Sequence, residues 1–227
     1  MRYLIYGAGA VGGTIGACLA MHDREVRLIA RSQNLDALRT GGLLFRTPDG
    51  EHRLDLKTVG SPAEVDLRPG DVVMLTMKSQ DTQAALDMLA DVADPGLTLV
   101  CMQNGVANER MALRHFARVC ASCVVLPATH LEPGAVVAHS WPVAGLFELG
   151  LYPIGADEGI EALAAELCDS GFDAQARSTV MPWKYTKLLA NLGNAIVAAT
   201  GMSGRDSTLF AAAKAEAIAC YGSAGIE

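Results

Sequence analysis

The chain has 227 residues, 51% of them hydrophobic and 19% charged, with a formal net charge of −7. That is enough apolar material for one large or two modest well-cored domains, and the negative balance provides no general field for a nucleic acid, so no nucleic-acid partner is expected and any phosphate must be met by local cations. The first apolar run is short and lacks a cleavage pattern, and the longest apolar helical run, Leu188 to Ala199, is broken by Asn191, Gly193 and Asn194. No secretion signal and no membrane span are expected, and the reading is cytoplasmic.

Residues Arg2–Tyr6 form a short β-branched and aromatic segment that feeds Gly7-Ala8-Gly9-Ala10-Val11-Gly12 and then an apolar helical run. Strand, glycine turn and helix in that order form the context in which GxGxxG marks a dinucleotide site. In that context Gly7 permits the turn, Gly9 lets the backbone approach a pyrophosphate, Gly12 lets helix and strand pack closely, and free helix N–H groups face the anion. A tight turn without a ligand is the plainer alternative. A second strand, Glu25–Ala30, follows at the expected distance and ends at Arg31-Ser32-Gln33-Asn34. An acidic residue there would take the ribose hydroxyls of NAD, whereas an Arg accommodates a 2′-phosphate. With no carboxylate at that strand end, Arg31 reads as an NADP(H) contact, against the alternative of a solvated surface Arg.

Next comes a short helix over Asn34–Thr40, closed by Gly41-Gly42. Leu43–Phe45 and His52–Val59 read as a hairpin around Pro48-Asp49-Gly50, and Pro62–Gly70 as a connector. Asp71–Met77 is a continuous apolar run of the kind found in a parallel sheet covered on both faces, and it ends at Lys78. Ser79 or Asp81 is expected to cap a helix over residues 80–90. Leu97–Met102 is another buried strand, ending at Gln103-Asn104-Gly105, and Val119–Leu126 the next. Ligands of a doubly wound sheet lie beyond the carboxyl ends of its strands, so the glycine turn, Arg31, Lys78 and Gln103–Gly105 converge on one edge. Lys78 could meet a cofactor phosphate or a substrate carboxylate there, or be a snorkelling surface lysine. Asn104-Gly105 is also a turn signal. The six cysteines suit buried thiols, and Cys120-x-x-Cys123 runs along a strand without a second pair. His130 and His139 lack ligand-like partners, so no metal site is expected.

From Thr129 the pattern changes. His130–His139 and Gly145–Tyr152 read as strands of an antiparallel extension, Asp157–Cys168 as a helix and Phe172–Ala176 as a short strand. The fold class is α/β: a Rossmann-type dinucleotide-binding domain over 1–178, followed by an all-helical segment over 179–227. The helical segment opens with Trp183-Lys-Tyr-Thr-Lys187-Leu-Leu-Ala-Asn191-Leu-Gly-Asn194. At about 100° per residue, Asn191 lies about 40° and Asn194 about 20° from Lys187, so the three share a face, while Lys184 is taken to point elsewhere. Amides and an ammonium in so apolar a helix call for polar partners, unless that face is solvated. Gly193 suggests close approach by a backbone or ligand.

The GxGAVG turn, the strand-end Arg31 and Lys78, Gln103-Asn104-Gly105 and the W-K-x-x-K-L-L-x-N-L-G-N run, in this order, resemble the ketopantoate reductase (2-dehydropantoate 2-reductase) family. The resemblance implies NADPH-dependent reduction of the 2-ketone of ketopantoate to pantoate, on the way to pantothenate and coenzyme A. It implies Lys187 as the catalytic proton donor and Asn104, Asn191 and Asn194 on the substrate. Gly7, Ala8, Gly9, Ala10, Val11, Gly12, Arg31, Lys78 and Asn104 fall on the NADP side. In some members the second helical Asn lies one position later than Asn194. Members also continue beyond this chain, with further helices and an active-site Ser and Glu, whereas residues 206–222 offer one more helix. The helical domain is therefore expected to be incomplete, as a fragment or as a trimmed form. Reduction of another 2-oxo acid and an inactive NADP-binding module are the alternatives, and an exposed apolar face on the last helices would favour a homodimer.

Overall fold

A computed structural model describes residues 1–201, 204 and 207–226. The chain opens with β1 (Arg2–Tyr6), α1 (Ala10–Met21), β2 (Glu25–Ile29) and α2 (Ser32–Gly41), then β3 (Leu43–Thr47), β4 (Gly50–Leu54) and β5 (Lys57–Val59). It continues through β6 (Asp71–Leu75), α3 (Thr82–Ala90), β7 (Thr98–Cys101), α4 (Asn108–Ala112) and β8 (Arg118–Val125). There follow β9 (Ala128–Thr129), β10 (Ala135–Ala138), β11 (Leu146–Leu151), α5 (Glu158–Cys168), β12 (Asp173–Ala176), α6 (Met181–Thr200) and α7 (Thr208–Ser223). The helix expected over 206–222 is α7, and Asp206 lies outside the described residues. No described helix is long and apolar enough to cross a membrane.

The main sheet has the order β12-β11-β8-β7-β6-β1-β2-β5. Strands β5 to β8 and β1, β2 run parallel, and β11 joins β8 antiparallel with β12 beside it. Every residue of β1 is buried, and the two-residue period of a strand sorts them to opposite faces. Tyr3 and Ile5 enter one core with Ile15, Phe45, Phe147 and Leu163. Leu4 and Tyr6 enter the other with Leu75, Leu86, Leu99 and Phe116.

Two expectations need correction here. His52–Val59 is not one hairpin strand: β4 pairs back on β3, but β5 leaves to pair parallel with β2. Residues 130–139 do not extend the main sheet, because β10 lies parallel to β3 and antiparallel to β9 in a separate sheet ordered β4-β3-β10-β9. This small sheet covers the outer side of α1, so close that a Cβ at Gly13 would fall 2.6 Å from Val136 Cγ1. Helix α1 is thus sandwiched between two sheets, which accounts for its unbroken burial from Gly12 to Leu19. Cys120 and Cys123 are buried free thiols on β8, and among the described residues no group of His, Cys, Asp and Glu is arranged to hold a metal.

At the amino ends of the strands, β1 and β6 are joined by a buried ion pair. Arg2 Nε donates to Asp71 Oδ1 at 2.8 Å and Arg2 Nη2 donates to the Asp66 carbonyl at 2.6 Å, while the Arg68 backbone N–H donates to Asp71 Oδ2 at 2.8 Å. Burial pushes the Asp71 carboxyl up, but the Arg2 hydrogen bonds, the Arg68 N–H and both guanidinium charges overcome it and hold the group below its ordinary value. Removing one partner of a buried pair strands the other charge, so Asp71→Ala should destabilise the fold by about 3–5 kcal/mol, read as a lower urea midpoint. Because the folded pKa is depressed, the wild-type contribution is complete above the unfolded carboxyl value of about 3.9 and is lost as pH falls through the folded one. The difference between variant and wild type should therefore shrink on acidification.

Candidate active site

The turn after β1 is braced from three sides. The Gly7 N–H donates to the Ile29 carbonyl at 3.0 Å, Thr76 Oγ1 donates to the Gly7 carbonyl at 2.7 Å, and Asn34 Nδ2 donates to the Ala8 carbonyl at 2.8 Å. Gly7 has φ +112, and a Cβ at Gly12 would lie 2.2 Å from the Gly7 carbonyl oxygen, so the turn needs glycine at both places. A Cβ at Gly9 would meet nothing within 4 Å. Gly9 is also the N-cap residue just before α1, and it brings no side-chain cap, which leaves the first-turn N–H groups of Ala10, Val11 and Gly12 for a ligand. An uncapped, half-buried helix start is a cradle that a pyrophosphate fits.

Arg31 stands at the carboxyl end of β2, exposed, but not alone. Arg31 Nη2 donates to Asp81 Oδ2 at 2.7 Å. The expectation of no carboxylate beside Arg31 is therefore corrected: none follows it in sequence, but the segment after β6 delivers one in space. For the same reason Asp81 does not cap α3 with its side chain, and neither does Ser79, which donates to the Asn104 carbonyl at 3.3 Å. Lys78 is exposed after β6 and makes no side-chain hydrogen bond or ion pair among the described residues.

The loop after β7 is held from below by a chain of buried polar groups. Gln103 Nε2 donates to Thr82 Oγ1 at 2.7 Å, Thr82 Oγ1 donates to Asn108 Oδ1 at 3.1 Å, and Asn108 Nδ2 donates to the Asn104 carbonyl at 3.0 Å. Gly105 completes the turn at φ +87. Against this loop α6 sets two lysines. Lys187 Nζ donates to Asn104 Oδ1 at 2.5 Å and to the Val124 carbonyl at the end of β8. Lys184, 4% exposed, donates to the Gln103 carbonyl at 3.2 Å and pairs with the fully buried Glu109 of α4. Burial pushes the Lys187 ammonium below its ordinary value; Cys123 opposes this and the Lys184 charge adds to it.

Gln103, Asn104, Ser122, Cys123, Lys187 and Asn191 line a small, open cleft. Lys184 also reaches this cleft, which corrects the expectation that it points elsewhere. Three residues at about 100° place it only about 60° from Lys187, and that i, i+3 spacing was the available signal. Asn194 is exposed and outside the cleft lining, whereas Lys187 and Asn191 on the same face line it. It shares the direction of Lys187, but seven residues carry it about 10 Å farther along the helix. Glu109, Thr82, Asn108 and Asn34 left no readable mark, because each acts through a partner distant in sequence. Gln103 Oε1, Glu109 Oε2 and Ser122 Oγ are buried at the cleft without a hydrogen-bond partner among the described residues.

This arrangement juxtaposes an anion cradle, a strand-end cation and a desolvated ammonium along the carboxyl edge of a doubly wound sheet, beside the point where the strand order reverses at β1. Comparison with known proteins points the same way. The profile of the family described as ketopantoate reductase PanE/ApbA matches residues 3–151. The 2-dehydropantoate 2-reductase of Pyrococcus horikoshii is 29% identical over 191 residues, 84% of this chain and 61% of that protein. That of Mesorhizobium japonicum is 30% identical over 226 residues, 88% of this chain and 68% of its own length. A crystal structure of a PanE/ApbA family ketopantoate reductase from Ralstonia eutropha superposes with a TM-score of 0.84 at 25% identity, covering all of this chain and 76% of its own. The chain spans about three fifths of the Pyrococcus relative's length. It belongs to the ketopantoate reductase PanE/ApbA family.

Proposed function

We propose that this chain carries the cofactor and proton-donor half of an NADPH-dependent 2-oxo acid reductase, with 2-dehydropantoate as the substrate and residues 1–178 and 179–227 as its cofactor-binding and helical parts. The observation that carries the reading is Lys187. An ammonium has three donors, and two are committed to Asn104 Oδ1 and the Val124 carbonyl, so the third is free for the cleft. When bound, NADPH supplies the hydride to the substrate carbonyl carbon. The backbone N–H groups at Ala10–Gly12 would hold its pyrophosphate, with Arg31 and Lys78 for further phosphate charge.

Hydride addition develops negative charge on the ketone oxygen. A fixed ammonium beside that oxygen stabilises the charge and then delivers its proton to it. Desolvation makes Lys187 a stronger acid than a solvated lysine, which suits the transfer. Asn104 fixes the ammonium through Oδ1 and keeps its amide N–H groups for the substrate. Asn191 supplies a second amide one helical turn beyond Lys187, in the same cleft. Asn194, outside the lining, is left with no direct role in this reading. The names of the relatives, 2-dehydropantoate 2-reductase in each case, support the choice of substrate.

Steady-state NADPH oxidation with 2-dehydropantoate and a panel of 2-oxo acids tests the reading directly. Lys187→Ala should lower kcat by about 10²–10⁴-fold while NADPH binding, followed by calorimetric titration, stays within about twofold. An unchanged kcat removes Lys187 from the chemistry. Since the acid must be protonated and its pKa is lowered by burial, the rate of reduction should fall at a pH below the ordinary lysine value of 10.5. Lys187→Arg should carry that alkaline limb out of the accessible range. Arg31→Ala should weaken NADPH at least about tenfold more than NADH, and equal losses would sink its role at the 2′-phosphate.

A further inference from the structure

The adenosine end of the groove carries a carboxylate for which the proposed chemistry has no use. Strands β2 and β6 flank β1, so Arg31 and Asp81 meet from the two neighbours of the strand that bears the glycine turn. With strands about 4.8 Å apart, the pair spans about 10 Å between those strand ends, over the turn itself. The Arg31 side chain is 74% exposed and that of Asp81 29% exposed, and their contact at 2.7 Å is the one side-chain hydrogen bond either makes among the described residues. A solvated pair of this kind contributes little to the stability of a fold. Its consequence lies instead in what can bind there.

We infer that Asp81 is a specificity-determining residue that restrains the preference for NADPH over NADH. The inference rests on the reading of Arg31 as the 2′-phosphate contact. A phosphate arriving at Arg31 has to displace a charge-assisted hydrogen bond already formed, so it gains only the difference between two anions. Asp81 then stays close by and repels it. The neutral ribose diol of NADH does not compete for the guanidinium charge, and a carboxylate is the acceptor that such hydroxyls use in NAD-preferring domains. Asp81 thus weakens one cofactor and leaves the other unharmed.

Calorimetric titration of NADPH and NADH into the full chain and into Arg31→Ala, Asp81→Asn and Asp81→Glu separates the possibilities. Asp81→Asn keeps the size and removes the charge. It should tighten NADPH by about three- to tenfold, with the gain shrinking at high salt, and should change NADH by less than about twofold. Asp81→Glu, which keeps the charge, should stay near wild type for NADPH. NADPH affinity that depends on Arg31 but is the same in Asp81→Asn overturns this inference and leaves the cofactor reading standing. NADPH affinity that is absent, or indifferent to Arg31→Ala, overturns the cofactor reading itself.

Discussion

The candidate site depends on a buried charge pair at its base. Lys184 of α6 and Glu109 of α4 meet at the back of the cleft, and Lys184 also holds the Gln103 carbonyl. Two ions taken from water need each other and need further hydrogen bonds, which fixes the helix and the loop in one relative position. Because Lys187 is one turn further along the same helix, and Asn104 directly follows Gln103, the alignment of ammonium and amide follows from that anchor. A shift of α6 by even one residue would uncover Lys184 and release Lys187 together.

The other half of the groove is set by packing. Helix α1 is wedged between the main sheet and the small β4-β3-β10-β9 sheet, and its start cannot retreat because Gly12 already lies against the Gly7 carbonyl. Asn34 adds a polar tie between the two layers, donating to the Ala8 carbonyl and accepting from the Gly134 N–H at 2.8 Å. The uncapped helix start is therefore held in place, with no side chain capping its N–H groups. Rigidity lets a backbone N–H array act on an anion without reorganising first.

Charge at this edge is distributed with economy. The chain as a whole is acidic, yet the described cations of the groove are placed where anions would arrive: Arg31 and Lys78 at strand ends, Lys187 within the cleft. Their environments differ. Lys78 is exposed, Arg31 is shared with Asp81, and Lys187 is partly desolvated with two of its donors committed. Solvation sorts them into roles, since a buried ammonium gains acidity whereas an exposed one offers only screened attraction.

The sequence by itself determined the features that are local or periodic. A glycine turn between strand and helix, buried strands ending at Arg31, Lys78 and Gln103, and the stripe shared by Lys187 and Asn191 are each written within some twenty residues, and the doubly wound order then aligns their ends. Only the tertiary structure decided what meets those residues. Asp81 reaches Arg31 across 50 positions and Glu109 reaches Lys184 across 75. No sequence period records such distances. The same holds for β5 and β10, whose residues read as ordinary strand but whose partners were chosen by the sheet edges left open elsewhere. Asn194 shows the converse limit: its direction around the helix was legible, but whether α6 still faced the cleft at that height depended on where β8 and its neighbouring loop ended.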